Sequence, residues 1–217
     1  MDFSVVARNL PYLAGGFALT IEMAALVIIG GSLLGLLLGL ARAGRVPVLR
    51  QATAVYIELI RGTPLLVVLL VVYLAVPAVT GRRLGPEPSA TIGFIAFVAA
   101  YIAEDLRSGL ASVPSGQIEA GLASGLSHAQ VMRLIVLPQA IRRMIPALFN
   151  QFVRLLKFTS VASVIGVTEL TGAVLAVNAR EVKPLPLLAF LALAYFAACY
   201  ALSLVGRWLN RRYAVVS

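Results

Sequence analysis

From Leu185 to Gly206 the chain runs without one charged side chain. About 20 apolar residues in a helix match the hydrocarbon thickness of a bilayer. Inside that medium no water can pair a free N–H or C=O, so such a run must be helical throughout. Four more runs approach the same length. Leu13–Ala41 is interrupted only by Glu22, and Ala52–Val79 carries Glu58 and Arg61 in its first turns. The span 89–110 is long enough if it continues through Glu104 and Asp105. Phe149–Val177 holds Arg154, Lys157 and Glu169. Residues 1–217 therefore read as a single all-α, polytopic transmembrane domain with five spanning helices. Composition agrees, with 60% hydrophobic and 12% charged residues against roughly 45–50% and about 25% in soluble domains.

The formal net charge of +9 is not a nucleic-acid signature, because the basic residues fall between the apolar runs. Twelve of the 18 Lys/Arg lie in the Arg42–Arg50 loop, the Arg107–Lys157 block and the tail from Arg207. Arg8, Arg82, Arg83, Arg180 and Lys183 occupy the alternate segments. The positive-inside rule then predicts the N-terminus outside and the C-terminus in the cytoplasm. The first apolar run has no basic segment before it and exceeds the length of a signal-peptide core, so it is expected to remain in the mature chain. Cys199, the one cysteine, sits within an apolar run and can form no intrachain disulfide. No internal repeat is visible, and five helices do not divide into equal halves. Many transport pathways lie between two related halves. A two-fold dimer, of this chain or with a close relative, is therefore expected.

Between the third and fourth runs, at about 112–140, lies a punctuated block that includes "QIEAGLASGLSHAQVMRLIVLP", Gln117 to Pro138. Gln117–Ser124 predicts a short helix, and Gly125 stands where a left-handed C-terminal cap is easiest for glycine. Ser127 and Gln130 have capping-box spacing, so a second helix should begin there. Pro138 should end it, since the residue before proline is pushed out of the helical region. The second helix is apolar over most of its surface, wider than a solvated loop requires. Patterning alone leaves two readings: a helix lying in the headgroup layer, or a docking element covered by a partner.

The residues Glu119-Ala120-Gly121, then Gly125, Ile135 and Pro138, resemble the EAA loop of the membrane subunits of ATP-binding-cassette importers. "IELIRGTPLLV" at 57–67, "SVPSGQIEAG" at 112–121, "VLPQAIRRMIPALFNQFVRLLK" at 136–157 and "TSVASVIGVTELT" at 159–171 narrow the resemblance to permeases of the polar amino-acid uptake family. It extends from the first helix to about Thr171. The resemblance implies a type I importer permease fold in a bacterial inner membrane, with a dimeric ATPase in the cytoplasm. A binding protein outside the membrane would deliver the solute, and a second permease copy or homologue would complete the path. ATP and magnesium would be used by the ATPase, with no cofactor bound by this chain. The block at 112–140 would be the coupling loop, with Glu119, Ala120, Gly121, Gly125 and Pro138 as framework. Val131, Met132, Arg133, Ile135 and Val136, on the face running to Leu137, would dock on the ATPase. Gly121 replaces the usual second alanine, and Met132 a frequent phenylalanine. Phe158 follows "LLK" where the family commonly has an acidic residue, so a rule for cationic amino acids does not transfer.

Several polar residues are candidates for the substrate path. Glu169, about 12 residues beyond Lys157, would lie about 18 Å further along a continuous helix. An ionisable group at such depth needs a partner or water; the alternative is a structural bond to a helix end. Lys157 is expected to snorkel. Thr159 and Ser160 could bind a solute's carboxylate or amine, though such hydroxyls more often satisfy helix backbone. Glu58 and Arg61 are three apart and could neutralise one another, ahead of a kink at Gly62-Thr63-Pro64. Glu22 is expected at a helix interface, Glu104 and Asp105 beside a wet cavity, and His128 in solvent. No phosphate loop, nucleophile–base pair or zinc cluster is present, so this chain is expected not to be an enzyme. The rival readings are a self-sufficient secondary carrier or channel, and a non-transporting membrane scaffold.

Overall fold

The computed structural model describes residues 2–44 and 46–213. Met1, Arg45 of the basic loop and residues 214–217 lie outside it, as do the side chains of Arg212 and Tyr213. All regular structure among the described residues is helical. A short α1 (Ser4–Arg8) leads into α2, which runs unbroken over Leu10–Ala43. The first span thus starts earlier than the apolar run at Leu13 suggests.

The second span is not one helix. α3 (Pro47–Gly62) and α4 (Leu65–Thr80) meet at an angle of 112°. Pro64 forces the residue before it into extended geometry, and Thr63 sits at φ −104°, ψ 135°. Its hydroxyl bonds the Leu59 carbonyl at 2.7 Å, and Val67 and Val68 donate to the Pro64 carbonyl to restart the helix. The kink anticipated here is a corner, and neither 16-residue arm is long enough to cross alone. Further along α4, a π-turn at Val71–Ala75 accommodates Pro77, and Gly81 ends the helix in the left-handed region, at φ 69°.

α5 (Pro86–Ala111) is continuous. After it, α6 (Ser115–Ala123) turns back through Gly125 into α7 (His128–Ile165). Pro138 does not end that helix. A π-turn at Met132–Val136, closed by the Leu137 N–H on the Met132 carbonyl, widens the backbone just ahead of the proline. The ring's clash with the preceding turn is thereby relieved, and the helix continues to Phe158 before tightening into a 3₁₀ turn at Thr159–Ile165. The fourth span also departs from a single helix over 149–177. Gly166, at φ 90°, breaks it, and α8 (Leu170–Glu181) leaves at 47°. α9 (Pro184–Tyr213) completes the chain. Among the described residues three helices are long and apolar enough to cross a membrane by themselves, and counting each of the two bent pairs as one span raises the number to five.

Apolar periodicity cannot reveal the packing face of α2, because lipid tails are as apolar as leucine. The small residues reveal it instead. Thr20, Ala24, Val27, Gly31, Gly35 and Gly39 are buried, while Leu26, Ile29, Leu33, Leu37 and Leu40 face outward. A β-carbon at Gly31 would meet Val98 at 2.9 Å, one at Gly35 the Ala99 carbonyl oxygen at 2.9 Å, and one at Gly39 Leu106 at 2.5 Å. α2 and α5 therefore touch along their backbones. Gly16 lets α8 approach in the same way, under Ala173. α9 leans on α7 through Gly206 and Phe149 and leaves Leu193, Phe196, Tyr200 and Trp208 exposed.

The bundle has two charged ends. At one, Arg8 pairs with Glu181 (3.3 Å) and Lys183 with Asp2 (4.0 Å). At the other, Arg42 pairs with Glu104 (2.7 Å), and Arg143 donates to the Ser112 carbonyl. Replacing Gly35 by Leu should overpack the α2–α5 contact and destabilise the protein by about 1–3 kcal/mol. Gly15→Ala, where nothing lies within 4 Å of the added carbon, should leave thermal unfolding in detergent unchanged. Equal melting of the two variants would refute the backbone contact.

Candidate functional site

The α6–α7 hairpin is built by its caps. Gly125, at φ 83°, donates to Leu122, and the Leu126 N–H reaches back to Gly121. This pair of bonds is a Schellman motif. Two residues on, the Ser127 hydroxyl accepts from the Gln130 backbone N–H (3.4 Å) while the Gln130 side-chain Oε1 accepts from the Ser127 backbone N–H (2.8 Å), completing the capping box. Between the arms, a β-carbon at Gly121 would approach Ile135 Cδ1 to 2.7 Å and Val131 to 2.9 Å. The glycine in place of alanine thus sits at a close approach of the two helices.

The anticipated docking face divides. Val131 and Val136 are buried with Val113 and Ala140, beside Ile118, Leu122 and Leu126, and hold the hairpin together. They are framework. Ile135 is half-buried against Gly121. Met132, Arg133, Leu134, Leu137 and Ile141 form the exposed side, and Glu119, Ala120, His128 and Pro138 are also exposed.

At the same end of the bundle a polar cluster surrounds Glu104. Its carboxylate meets Arg42 of α2 at 2.7 Å, Arg61 of α3 at 3.7 Å and the Arg107 Nε at 2.9 Å. Arg61 and Glu104 are thus brought together, and Arg61 does not pair with Glu58. Arg61 and Arg154 both lie over the Tyr101 ring, at 5.5 and 5.8 Å. Asp105 accepts from Gln151 at 3.2 Å. Tyr101, Gln151 and Arg154 were not anticipated as members. The available signal was the spacing Phe97, Tyr101, Glu104/Asp105, which places them on one face of α5.

Phe158 packs edge-on against Phe97 at 6.1 Å. The Thr159 and Ser160 hydroxyls donate to the Leu156 and Lys157 carbonyls, both at 2.8 Å, where the helix tightens. Glu169 does not lie within a continuous helix. It is the N-cap of α8, fully buried, accepting from the Thr171 and Gly172 N–H groups at 3.0 Å. The Tyr195 hydroxyl donates to it at 2.8 Å from α9. Thr20 of α2 stands 3.3 Å away and accepts from the Leu170 N–H. One carboxylate therefore joins α2, α8 and α9. Glu22, expected at a helix interface, is exposed in this chain beside a 360 Å³ cavity that Glu87 also lines.

Residues 31–215 match the family described as binding-protein-dependent transport system inner membrane component. The chain belongs to that family. It is 40% identical over 217 residues to the probable glutamine ABC transporter permease protein GlnP of Bacillus subtilis, covering 98% of this chain and 99% of that one. Its identity to the L-cystine transport system permease protein TcyB of the same organism is 41%, over 93% and 86% of the two chains. Against the glutamine transport system permease protein GlnP of Escherichia coli K12 it is 36%, over 99% of each. Among solved structures, an amino acid ABC transporter with histidines superposes with a TM-score of 0.93 at 31% identity, over 98% of this chain and 99% of that one. The methionine transporter MetNI shares the fold at a TM-score of 0.80 and 18% identity, over 96% and 99% of the chains. The protein is thus an inner-membrane permease subunit of an ABC importer with the type I fold. It is not itself an enzyme; ATP hydrolysis belongs to a separate subunit of such systems.

The Glu169 junction is testable. Tyr195→Phe should cost about 1.5–3 kcal/mol, the loss of a bond to a charged group. Combined with Glu169→Gln in a double-mutant cycle, the two should couple by about 0.5–3 kcal/mol in chemical unfolding. Strict additivity would remove the link between α8 and α9.

Proposed function

We propose that this permease takes up polar amino acids or similar small polar solutes, driven by a separate cytoplasmic ATPase that grips the α6–α7 hairpin. The supporting observation is the hairpin's construction. Both turns are capped, its inner face is a small apolar core, and Met132, Leu134, Leu137 and Ile141 remain uncovered around Arg133. A stiff element transmits displacement, and because α7 continues from it through Pro138, movement of the hairpin would move the α7 part of the fourth span. The amino-acid assignment draws on the relatives named for glutamine and cystine. ATP and magnesium serve the ATPase, and this chain binds no cofactor.

The pathway is completed by a second copy or a homologous permease. Glu22 supports this reading. It lies about 18 Å into α2, is exposed, and a carboxylate facing lipid at such depth is expensive. A partner or a water-filled path resolves that expense. In the proposed orientation the Arg8–Glu181 end faces outward, where a solute-binding protein docks, and the Glu104 end faces the cytoplasm. Arg61 and Glu104 would flank the inner half of the path. Phe158, Thr159 and Ser160 would form the constriction above it, and Glu169 would act as a brace for that region. An apolar Phe158 offers no carboxylate there to select a cationic side chain.

Three measurements test this. Liposomes with this permease alone should show no uptake of glutamine or cystine, while the assembled importer should transport with ATP; uptake by the chain alone would favour the carrier. Cysteines at Met132 or Leu134 should crosslink to the ATPase in the assembled complex, and one at buried Val136 should not. Gly125→Val places a β-branched residue at φ 83°, a strain of about 1–2 kcal/mol. It should lower the ratio of solute imported to ATP hydrolysed while the protein still inserts. An unchanged ratio would mean that the turn's geometry is irrelevant to coupling.

A further inference from the structure

A cavity of about 480 Å³ opens where the last turn of α2, the start of α3 and the end of α5 converge. That size lies within the ~300–1,000 Å³ range of small-ligand sites. Arg42, Arg50 and Arg107 line it, and the remaining wall is largely apolar, with Gly39, Leu106 and Leu110. Arg42 and Arg107 both lean on Glu104, as does Arg61, so one carboxylate faces three guanidinium groups. The Arg50 side chain has no hydrogen bond or ion pair among the described residues. The cluster therefore retains positive charge and a free, planar donor group.

Its place in the bilayer follows from helix length. α2 has 34 residues, about 51 Å at 1.5 Å per residue, against a hydrocarbon core of about 30 Å. Its last turn must emerge into the headgroup layer, with the α3 start and the α5 end beside it. Along the same helices Leu36, Leu40 and Val55 are exposed. The carbonyl ends of α2 and α5 oppose an anion here, but their partial charges are smaller than those of the arginines.

We propose that this cavity binds the headgroup of an anionic phospholipid, its phosphate held by Arg50 with Arg42 and Arg107, and its acyl chains along Leu36, Leu40 and Val55. Guanidinium groups bind phosphate through paired donors, and basic pockets between spanning helices on the cytoplasmic side suit such lipids. Lipid binding would tie α2, α3 and α5 together beside the Glu104 cluster, so the lipid would stabilise the cytoplasmic end of the bundle.

The test uses the full chain, delipidated in a neutral detergent and titrated with dioctanoyl phosphatidylglycerol while thermal unfolding is followed. A saturable rise in melting temperature is expected. Dioctanoyl phosphatidylcholine should not reproduce it, and 0.5 M salt should weaken it. Arg50→Gln, at an exposed position without a partner, should fold normally and raise the half-saturating concentration about fivefold, one phosphate contact's worth. Arg82→Gln, in the segment after α4, should titrate like the unmodified protein. Equal stabilisation by phosphatidylcholine, or an unshifted titration in Arg50→Gln, would overturn the site. So would full stabilisation by glycerol phosphate alone, which would make it a free-anion site. Loss of the ATPase subunit from Arg50→Gln, with lipid titration unchanged, would give the surface to a protein partner instead.

Discussion

A helix that begins inside an apolar medium leaves N–H groups that no water can satisfy, and one end of this bundle is arranged around one such start. Gly166 ends the 3₁₀ turn and α8 begins four residues later. The Glu169 carboxylate takes the two N–H groups of Thr171 and Gly172, and Thr20 takes that of Leu170. A carboxylate at a helix N-terminus is favoured by the backbone dipole. Because its remaining acceptor capacity goes to Tyr195, with Thr20 close by, satisfying the break also fixes α8 against α2 and α9. The apolar cluster of Val5, Leu13, Leu170, Val174 and Leu187 packs around that junction.

The other breaks follow the same rule with different chemistry. At Pro64 the freed carbonyl of Leu59 is met by the Thr63 hydroxyl, so the 112° corner leaves little unpaired. Pro77 and Pro138 are each preceded by a π-turn, which opens the backbone enough for the ring without ending the helix. At Pro138 this joins the hairpin to a span. A coupling element that stopped at the proline could pivot separately; one continuous with α7 moves with it. The charged cluster at Glu104 sits beside that element and links α2, α3 and α5. The hairpin, the cluster and the arginine-lined cavity thus occupy one end of the molecule.

Much of the hairpin was legible in advance, because caps are local. Gly125, Ser127 and Gln130 signal their roles through backbone geometry within a few residues, and all three adopt them. Five apolar runs were legible for the same reason, since spanning length is a property of the chain alone. Three other features were not. Whether a proline ends a helix or is absorbed by a π-turn depends on what the continued helix gains by packing, and Pro64 and Pro138 went opposite ways. The division of Val131–Leu137 into framework and surface depends on how α6 lies across α7. The spacing offers Arg61 a partner on its own helix, Glu58, whereas Glu104 of α5 holds it.

What the sequence determined by itself was membrane residence, the number of spans, the capped turn and the family resemblance, all carried by local patterns of residue type. Tertiary structure alone decided that Glu169 caps a helix, that Gly31, Gly35 and Gly39 form a seam, and that Arg42, Arg50 and Arg107 share a cavity. The reason is that lipid erases the polar–apolar contrast that marks a buried face in water. In such a chain contacts between helices are set by the fit of small residues and by the need to pair buried polar groups, and both depend on residues far apart in sequence.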